Sequence, residues 1–184
     1  MKELKRVAAE QIKKYPKFQK PKVTILPGHD PLRRVIIENL ESRSQNTLSL
    51  ELSELPPSAN QLYEKSAYKY HKTQNYAVAV QLDPKQVAFR IRLRNNMVNN
   101  RLEFKPKGVM YVVVDLVTEE WLNKDFTAKQ KDLDNMIKPL FDAFQEAYRV
   151  PDELVFAAFV FKSYGPEKTS VKFFDVPAEI YSTT

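Results

Sequence analysis

The chain has 184 residues, of which 43% are hydrophobic, and this suits one domain with extensions rather than a disordered polypeptide. It contains no cysteine, which excludes disulfides, thiolate catalysis and cysteine-ligated zinc, and its three glycines cannot supply a phosphate-binding or dinucleotide-binding glycine loop. No apolar run is long enough to cross a membrane, and the charged amphipathic pattern at the N-terminus lacks the apolar core of a signal peptide, so we expect a soluble intracellular protein with no membrane partner and no nucleotide cofactor.

The formal net charge of +6 is concentrated at the N-terminus. Residues 1–22 hold eight lysines or arginines against two glutamates, whereas the remaining 162 residues carry 21 charges of each sign. A basic arm of this kind gains sequence-independent affinity for phosphates through counterion release. A tail that only keeps the protein soluble is an equally good interpretation.

The first 45 residues are expected to form an extension, 1–45, whose role cannot be read from the pattern. Helical spacing of apolar residues predicts an amphipathic helix over 2–15, followed by a proline-rich connector with one short strand at 23–26. Asp30 followed by Pro31 predicts the start of a second helix that ends near position 41. Its buried side is expected to be Leu32, Val35, Ile36 and Leu40.

A first strand is predicted from Thr47 to Leu52, where leucines alternate with polar residues. The segment PPSAN at 56–60 follows it, and the side chains of Ser58 and Asn60 suit either a turn or a bound phosphate. The next segment, 61–74, mixes tyrosines with Lys65, Lys69 and Lys72, a composition that can hold phosphates and stack on bases. Tyrosines that pack against the sheet explain it equally well.

After a predicted strand at 76–81, Asp83 and Pro84 indicate another helix start. Val87, Ile91 and Val98 are expected on the buried side of this helix, with Arg90 and Arg94 outside as a solvated face or a DNA track. The valine-rich segment 108–117 predicts the strongest strand. The loop after it contains Trp121, Lys129 and Lys131, which we expect near DNA.

The stretch 131–142, KDLDNMIKPLFD, carries the densest chemistry of the chain. Asp132 and Asp134 project to the same side of an extended segment, so both carboxylates can reach one cation. A hard divalent ion such as Mg²⁺ prefers oxygen ligands of this kind and leaves coordination positions for a substrate phosphate.

The start of the following helix is ambiguous. A helix from Asp134 places Lys138 and Asp142 on the same side as this aspartate, whereas Pro139 favours a start nearer Lys138. An ordinary structural interpretation also fits, with Asp134 as N-cap and in a surface ion pair with Lys138. The helix is expected to end near Tyr148.

The chain then continues into an apolar strand at 154–161 and a last strand at 170–176. Because the first of these strands is apolar almost throughout, we expect both of its faces to be covered, by helices or by a second subunit. The main domain is expected to span 46–176, with a tail at 177–184.

Three segments together resemble the RusA family of Holliday junction resolvases. They are DLDNMIKPLFDAF, the later VPDELVFAAFVFK and the earlier PPSAN, in the order that the family shows. The resemblance implies an α+β fold, with a mixed sheet of about five strands and helices packed on it. It also implies a cytoplasmic enzyme, encoded by a bacterium or a phage, that resolves four-way DNA junctions by paired symmetric nicks.

The same resemblance assigns roles to individual residues. Asp132, Asp134 and Asp152 would hold Mg²⁺, for which Mn²⁺ is an expected substitute, and Lys138 would lie near the scissile phosphate. Supporting roles are expected for Asn135, Asp142 and Glu153, with an ion pair within the helix as the other interpretation of Asp142. The residues expected to contact DNA are Ser58, Asn60, Lys65, Lys69, Lys72, Arg90, Arg94, Lys129, Lys131 and Lys162.

A homodimer is expected, because paired nicks across a junction with two-fold symmetry need two active sites. The sequence departs from the family at Pro151, where the acidic turn usually has an aspartate, and Glu153 would replace part of the lost charge. Two alternatives therefore stay open. One is a catalytically impaired protein that only binds junctions, and the other is a metal phosphoesterase that acts on small nucleotides.

Overall fold

The computed structural model describes residues 21–58, 63–69, 76–99, 104–129, 131 and 133–178. The helices are α1 (Pro31–Arg43), α2 (Pro84–Asn99) and α3 (Asp134–Tyr148), and short 3₁₀ helices span Glu119–Trp121 and Asp152–Leu154. The strands are β1 (Asn46–Leu52), β2 (Tyr63–Lys69), β3 (Tyr76–Leu82), β4 (Val109–Val117), β5 (Val155–Ser163) and β6 (Lys168–Val176). In this part of the chain no helix is both long and apolar enough to cross a membrane.

The main sheet is mixed and has four strands in the order β1-β6-β4-β5. β4 and β5 are parallel and are connected through α3, whereas β6 runs antiparallel to both of its neighbours, β1 and β4. The fold is therefore α+β. The expected count of about five strands was wrong, because β3 pairs with β2 in a separate two-stranded sheet. The strand nature of β2 was not predicted.

The two Asp-Pro helix starts are confirmed. The Asp30 carboxylate accepts a hydrogen bond from the backbone N–H of Leu32 at 2.8 Å, and the Asp83 carboxylate accepts one from the N–H of Lys85 at 2.8 Å. Each aspartate thereby satisfies a backbone donor that the first helical turn cannot pair, and the proline that follows has no N–H to satisfy.

Helices cover both faces of the sheet. One face, which carries Leu48, Leu50 and Val112, packs against α2 and α3, and the opposite face, with Val113 and Phe174, packs against α1. Leu40 is the buried anchor of α1, and a buried ion pair between Arg33 and Asp115 joins this helix to β4. The segment expected to be an extension therefore contributes α1 to the core.

The predicted buried sides of two helices were partly wrong. In α2, Val87 and Ile91 are 39% and 53% exposed, while Phe89 and Leu93 lie in the core. In α1, Leu32 and Val35 are exposed, and the contact with the sheet is made by Ile36, Ile37 and Leu40. Each helix has apolar residues on more than one side, and the position of the sheet and of the neighbouring helix selects the side that is buried.

β5 lies at the edge of the sheet, with β4 as its neighbour. Phe159 and Phe161 pack into the cluster beneath α1, but Phe156 is 51% exposed. The expectation that both faces of this strand are covered is therefore not met in one copy of the chain. In the described residues the outer edge of β5 has no strand partner, which makes its backbone N–H and C=O groups available for pairing.

Candidate metal and nucleic-acid site

The helix of the D-x-D segment begins at Asp134. The backbone N–H groups of Met136 and Ile137 both donate to the carbonyl of Leu133 at 3.0 Å, and Pro139 lies inside the helix as a buried residue. The alternative start near Lys138 was therefore wrong. Asp134 occupies the first helical turn rather than an extended strand, and Asp132 lies outside the described residues.

Asp134, Lys138 and Asp142 follow one side of α3 as expected from their spacing. The N-cap residue is Leu133, and in the described part of the chain no ion pair joins Asp134 to Lys138. The ordinary structural interpretation of Asp134 is therefore wrong on both counts, and its carboxylate lies exposed at the start of the helix. Asp142 lies 3.7 Å from a guanidinium nitrogen of Arg90, so its ion pair joins α3 to α2 and does not lie within one helix as expected.

The loop before α3 is held against the sheet by Trp121. This side chain is only 6% exposed, its indole N–H donates to the Leu116 carbonyl at 2.9 Å, and its own carbonyl accepts from the Lys129 N–H at 2.8 Å. A buried ring cannot stack on exposed bases, so the expectation that Trp121 contacts DNA was wrong. The N-terminal segment adds to this loop, because Val23 N–H donates to the Phe126 carbonyl at 2.9 Å.

Two ammonium groups lie over the Trp121 ring. The Nζ of Lys162 is 4.7 Å from the ring centroid and the Nζ of Lys131 is 5.7 Å from it. Lys162 also donates to the backbone carbonyl of Lys131 at 2.9 Å, and Lys131 pairs with Glu120. The hydrogen bond with Lys131 is the main cause that lowers the pKa of the Glu120 carboxyl, followed by the charges of Lys131 and Lys129. The end of β5 thus touches the residue that precedes Asp132.

A groove of about 820 Å³ runs past this end of the sheet. It is lined by the proline-rich segment 55–58, the first turn of α2, Lys131 and Asn135. Gln86 supports it from beneath, because its side-chain amide donates to the Ser58 carbonyl at 3.1 Å. This glutamine is completely buried, and within the described residues its Oε1 has no hydrogen-bond partner. The chain has no local pattern that marks Gln86, so the sequence did not single it out.

The remaining predicted DNA contacts fall into three groups. Arg90 is held in the interior of the helix pair, where it bonds Glu146 at 3.1 Å, so its side chain faces α3 rather than a ligand. Arg94 and Lys129 are exposed. For Lys65 and Lys69 the structure describes only the backbone of β2, and Asn60 and Lys72 lie outside the described residues.

The third acid of the predicted site lies at the other end of the fold. Position 152 begins the 3₁₀ helix that precedes β5, and its side chain is outside the description, while Glu153 is exposed. Helix α3, with 15 residues, spans about 22 Å between the D-x-D segment and this turn. The parallel register confirms the separation, because Met110 pairs with Val155 at one end and Val117 with Ser163 at the other.

Two carboxylates share one Mg²⁺ only when an oxygen atom of each lies about 2 Å from the ion. The acids at positions 134 and 152 of one copy are therefore too far apart to share an ion, and the expectation that the turn folds back onto the D-x-D segment is not met within one chain. Among the described side chains no group of three or more metal-binding residues occurs. Asn135 lines the groove and Asp134 precedes it at the exposed start of α3, and carboxylate and amide oxygens are ligand types that suit Mg²⁺.

A scan of protein-family models finds none that matches this chain, and a search of curated proteins finds no match. The likeness to the RusA family therefore rests on the three short segments alone.

Proposed function

We propose that the protein is a Mg²⁺-dependent endonuclease that cuts four-way DNA junctions by paired nicks. The observation that supports it most is the meeting, at one end of the sheet, of two of the segments with Lys162, the last residue of the third. The groove joins the PPS segment to Asn135, and the hydrogen bond from Lys162 to the Lys131 carbonyl joins the third segment to the second. These contacts link residues that are far apart in the sequence, as a common substrate site requires.

The polar groups of this end suit phosphodiester chemistry. Asp132 and Asp134 would hold the metal, which when bound supplies an activated water and neutralises charge on the phosphate. Lys138 is exposed one turn further along α3 and would bind a non-bridging oxygen of the scissile phosphate. The exposed Arg94 and Lys129 would contact neighbouring phosphates, which position the strand without reading its sequence.

A second copy of the chain would supply the third acid. The outer edge of β5 has no strand partner in the described residues, and antiparallel pairing of two such edges about Ala157 brings position 152 of one copy beside position 162 of the other. Position 162 contacts Lys131, so Asp152 of the second copy would approach the D-x-D segment of the first. The resulting dimer has two equivalent sites related by a two-fold axis, which matches the symmetry of a four-way junction.

The test is a cleavage assay on a synthetic four-way junction with Mg²⁺, with linear duplex of the same sequence as substrate control. We expect symmetric nicks in the junction, no cutting of the duplex, and no nicks with Asp134→Asn or with a chelator. Tight binding of the junction without nicks would instead support the alternative of a catalytically impaired junction-binding protein. The proline at position 151, where the family usually has an aspartate, is the reason for considering that alternative. Rapid hydrolysis of small phosphodiesters without preference for branched DNA would support the nucleotide phosphoesterase.

A further inference from the structure

Trp121 connects the core of the sheet to the entrance of the D-x-D segment. Its indole N–H is bonded to the backbone of β4 through the Leu116 carbonyl, so the position of the ring is set by the sheet. The face of the ring lies 4.7 Å from the ammonium of Lys162, which in turn donates to the Lys131 carbonyl at 2.9 Å. The chain of contacts therefore runs from β4 through Trp121 and Lys162 to the peptide that precedes Asp132.

We infer that Trp121 is a positioning residue for the metal site. Its ring holds the ammonium of Lys162 so that this group fixes the carbonyl of Lys131, the residue that precedes Asp132 in the sequence. The inference rests on the proposed function, because it assigns Trp121 a role in metal binding by the same site. It differs from the expected role, in which this tryptophan touches DNA directly.

A ring that served only as core would not need cations on its face. Apolar neighbours satisfy a buried aromatic, whereas Trp121 has two ammonium groups near it, and one of them is bonded to the backbone beside Asp132. A cation over a tryptophan face is attracted by the negative potential of the ring, and this attraction strengthens as water is excluded. Lys162 is itself exposed, so this attraction is modest, and the specificity of the contact comes from the second bond that the same ammonium makes to the Lys131 carbonyl.

Two substitutions separate this role from that of a core side chain. Trp121→Phe and Trp121→Leu both remove the N–H that bonds Leu116, but only phenylalanine keeps an aromatic face. We expect the Mg²⁺ concentration for half-maximal nicking to stay within about two-fold of wild type in Trp121→Phe and to rise about three- to five-fold in Trp121→Leu, with similar rates at saturating Mg²⁺. Equal shifts in both variants, or a shift in neither, would overturn the inference.

Substitution of the cation gives an independent check. Lys162→Met should raise the required Mg²⁺ concentration by a similar factor, and Lys162→Arg should restore it, because a guanidinium also stacks on tryptophan and donates hydrogen bonds. Lys105→Met, which removes an exposed lysine at the opposite end of β4, should behave as wild type. A failure of arginine to improve on methionine would contradict the proposed contact.

The fluorescence of Trp121 separates a failure of this inference from a failure of the proposed function. It is the single tryptophan of the chain, so its emission reports on this site alone. We expect Lys162→Met to alter the emission spectrum, and Mg²⁺ to cause a saturable change that Asp134→Asn abolishes. If the protein does not cut junctions but these changes occur, the nuclease proposal fails and the positioning role stands. An emission that responds to neither Mg²⁺ nor Lys162→Met would refute the positioning role even in an active nuclease.

Discussion

A mixing experiment with two inactive variants tests whether the site is shared between copies. Asp134→Asn and Asp152→Asn should each abolish nicking as homodimers. In a heterodimer of the two, one site combines both substitutions, and the other combines the intact Asp134 of one copy with the intact Asp152 of its partner. Nicking should therefore reappear on mixing, although neither protein is active alone.

The expected size of this recovery follows from the separation along α3. Because about 22 Å of helix lies between the two acids in one copy, a site that needs both must take them from different copies. Random exchange of subunits makes about half of the dimers heterodimers, and each of these has one intact site of two, so the mixture should nick at roughly a quarter of the wild-type rate. Its products should be single nicks rather than paired ones.

The assay is nicking of a labelled four-way junction after the two variants have been incubated together. A matched control is a mixture of Asp132→Asn with Asp134→Asn. Both substitutions fall in the same half of the site, so every heterodimer still lacks one ligand in each site and no activity should return. If tagged copies show that subunits exchange and the first mixture stays inactive, the shared site is refuted.

Three further predictions concern stability and assembly. Among the described residues, Arg33→Met leaves the buried carboxylate of Asp115 with the hydroxyl of Ser163 as its one remaining side-chain partner. The substitution should lower the free energy of unfolding by about 3 kcal/mol in urea denaturation, and addition of Asp115→Leu should restore much of the loss. Burial raises the pKa of Tyr148 to about 12 and leaves its hydroxyl without a partner in the described residues. Tyr148→Phe should therefore raise the free energy of unfolding by about 1 kcal/mol at neutral pH. It should also reduce the loss of stability that the wild type shows as the pH rises from 10 to 12, because the variant has no phenol to ionise. An unchanged pH profile would contradict this. Phe156→Glu should weaken the proposed dimer in analytical ultracentrifugation, because it would place like charges on two paired β5 edges, whereas Phe126→Glu, at a residue of similar exposure in the loop before α3, should leave that dimer intact.

Part of the site was predictable because its signals are local. The spacing of Asp134, Lys138 and Asp142 predicts one side of a helix, and this side is present in α3. Ser58 was expected near a substrate, and it lines the same groove as Asn135. The contacts of Trp121 and Gln86 were not predicted, because each is made with a partner that is distant in sequence, Lys162 in one case and Ser58 in the other.

The sequence by itself determined the elements that depend on neighbouring residues. Alternation of leucines predicted β1, valine content predicted β4, and the two Asp-Pro pairs predicted the starts of α1 and α2, since strand pleating and helix capping involve residues only a few positions apart. Only the tertiary structure decided that β3 leaves the main sheet, that β5 lies at its edge, and which side of α2 is buried.

The distance between the two halves of the candidate site was likewise a matter of tertiary structure. β4 and β5 are parallel, so the helix that connects them must run back along the whole length of the sheet. Its two ends therefore lie at opposite ends of the sheet, whatever residues the helix contains. The motif at 131–142 and the turn at 152 are close in sequence but separated by the length of α3, because a helix is a rigid spacer. The acids were therefore readable from the sequence, and their separation was not.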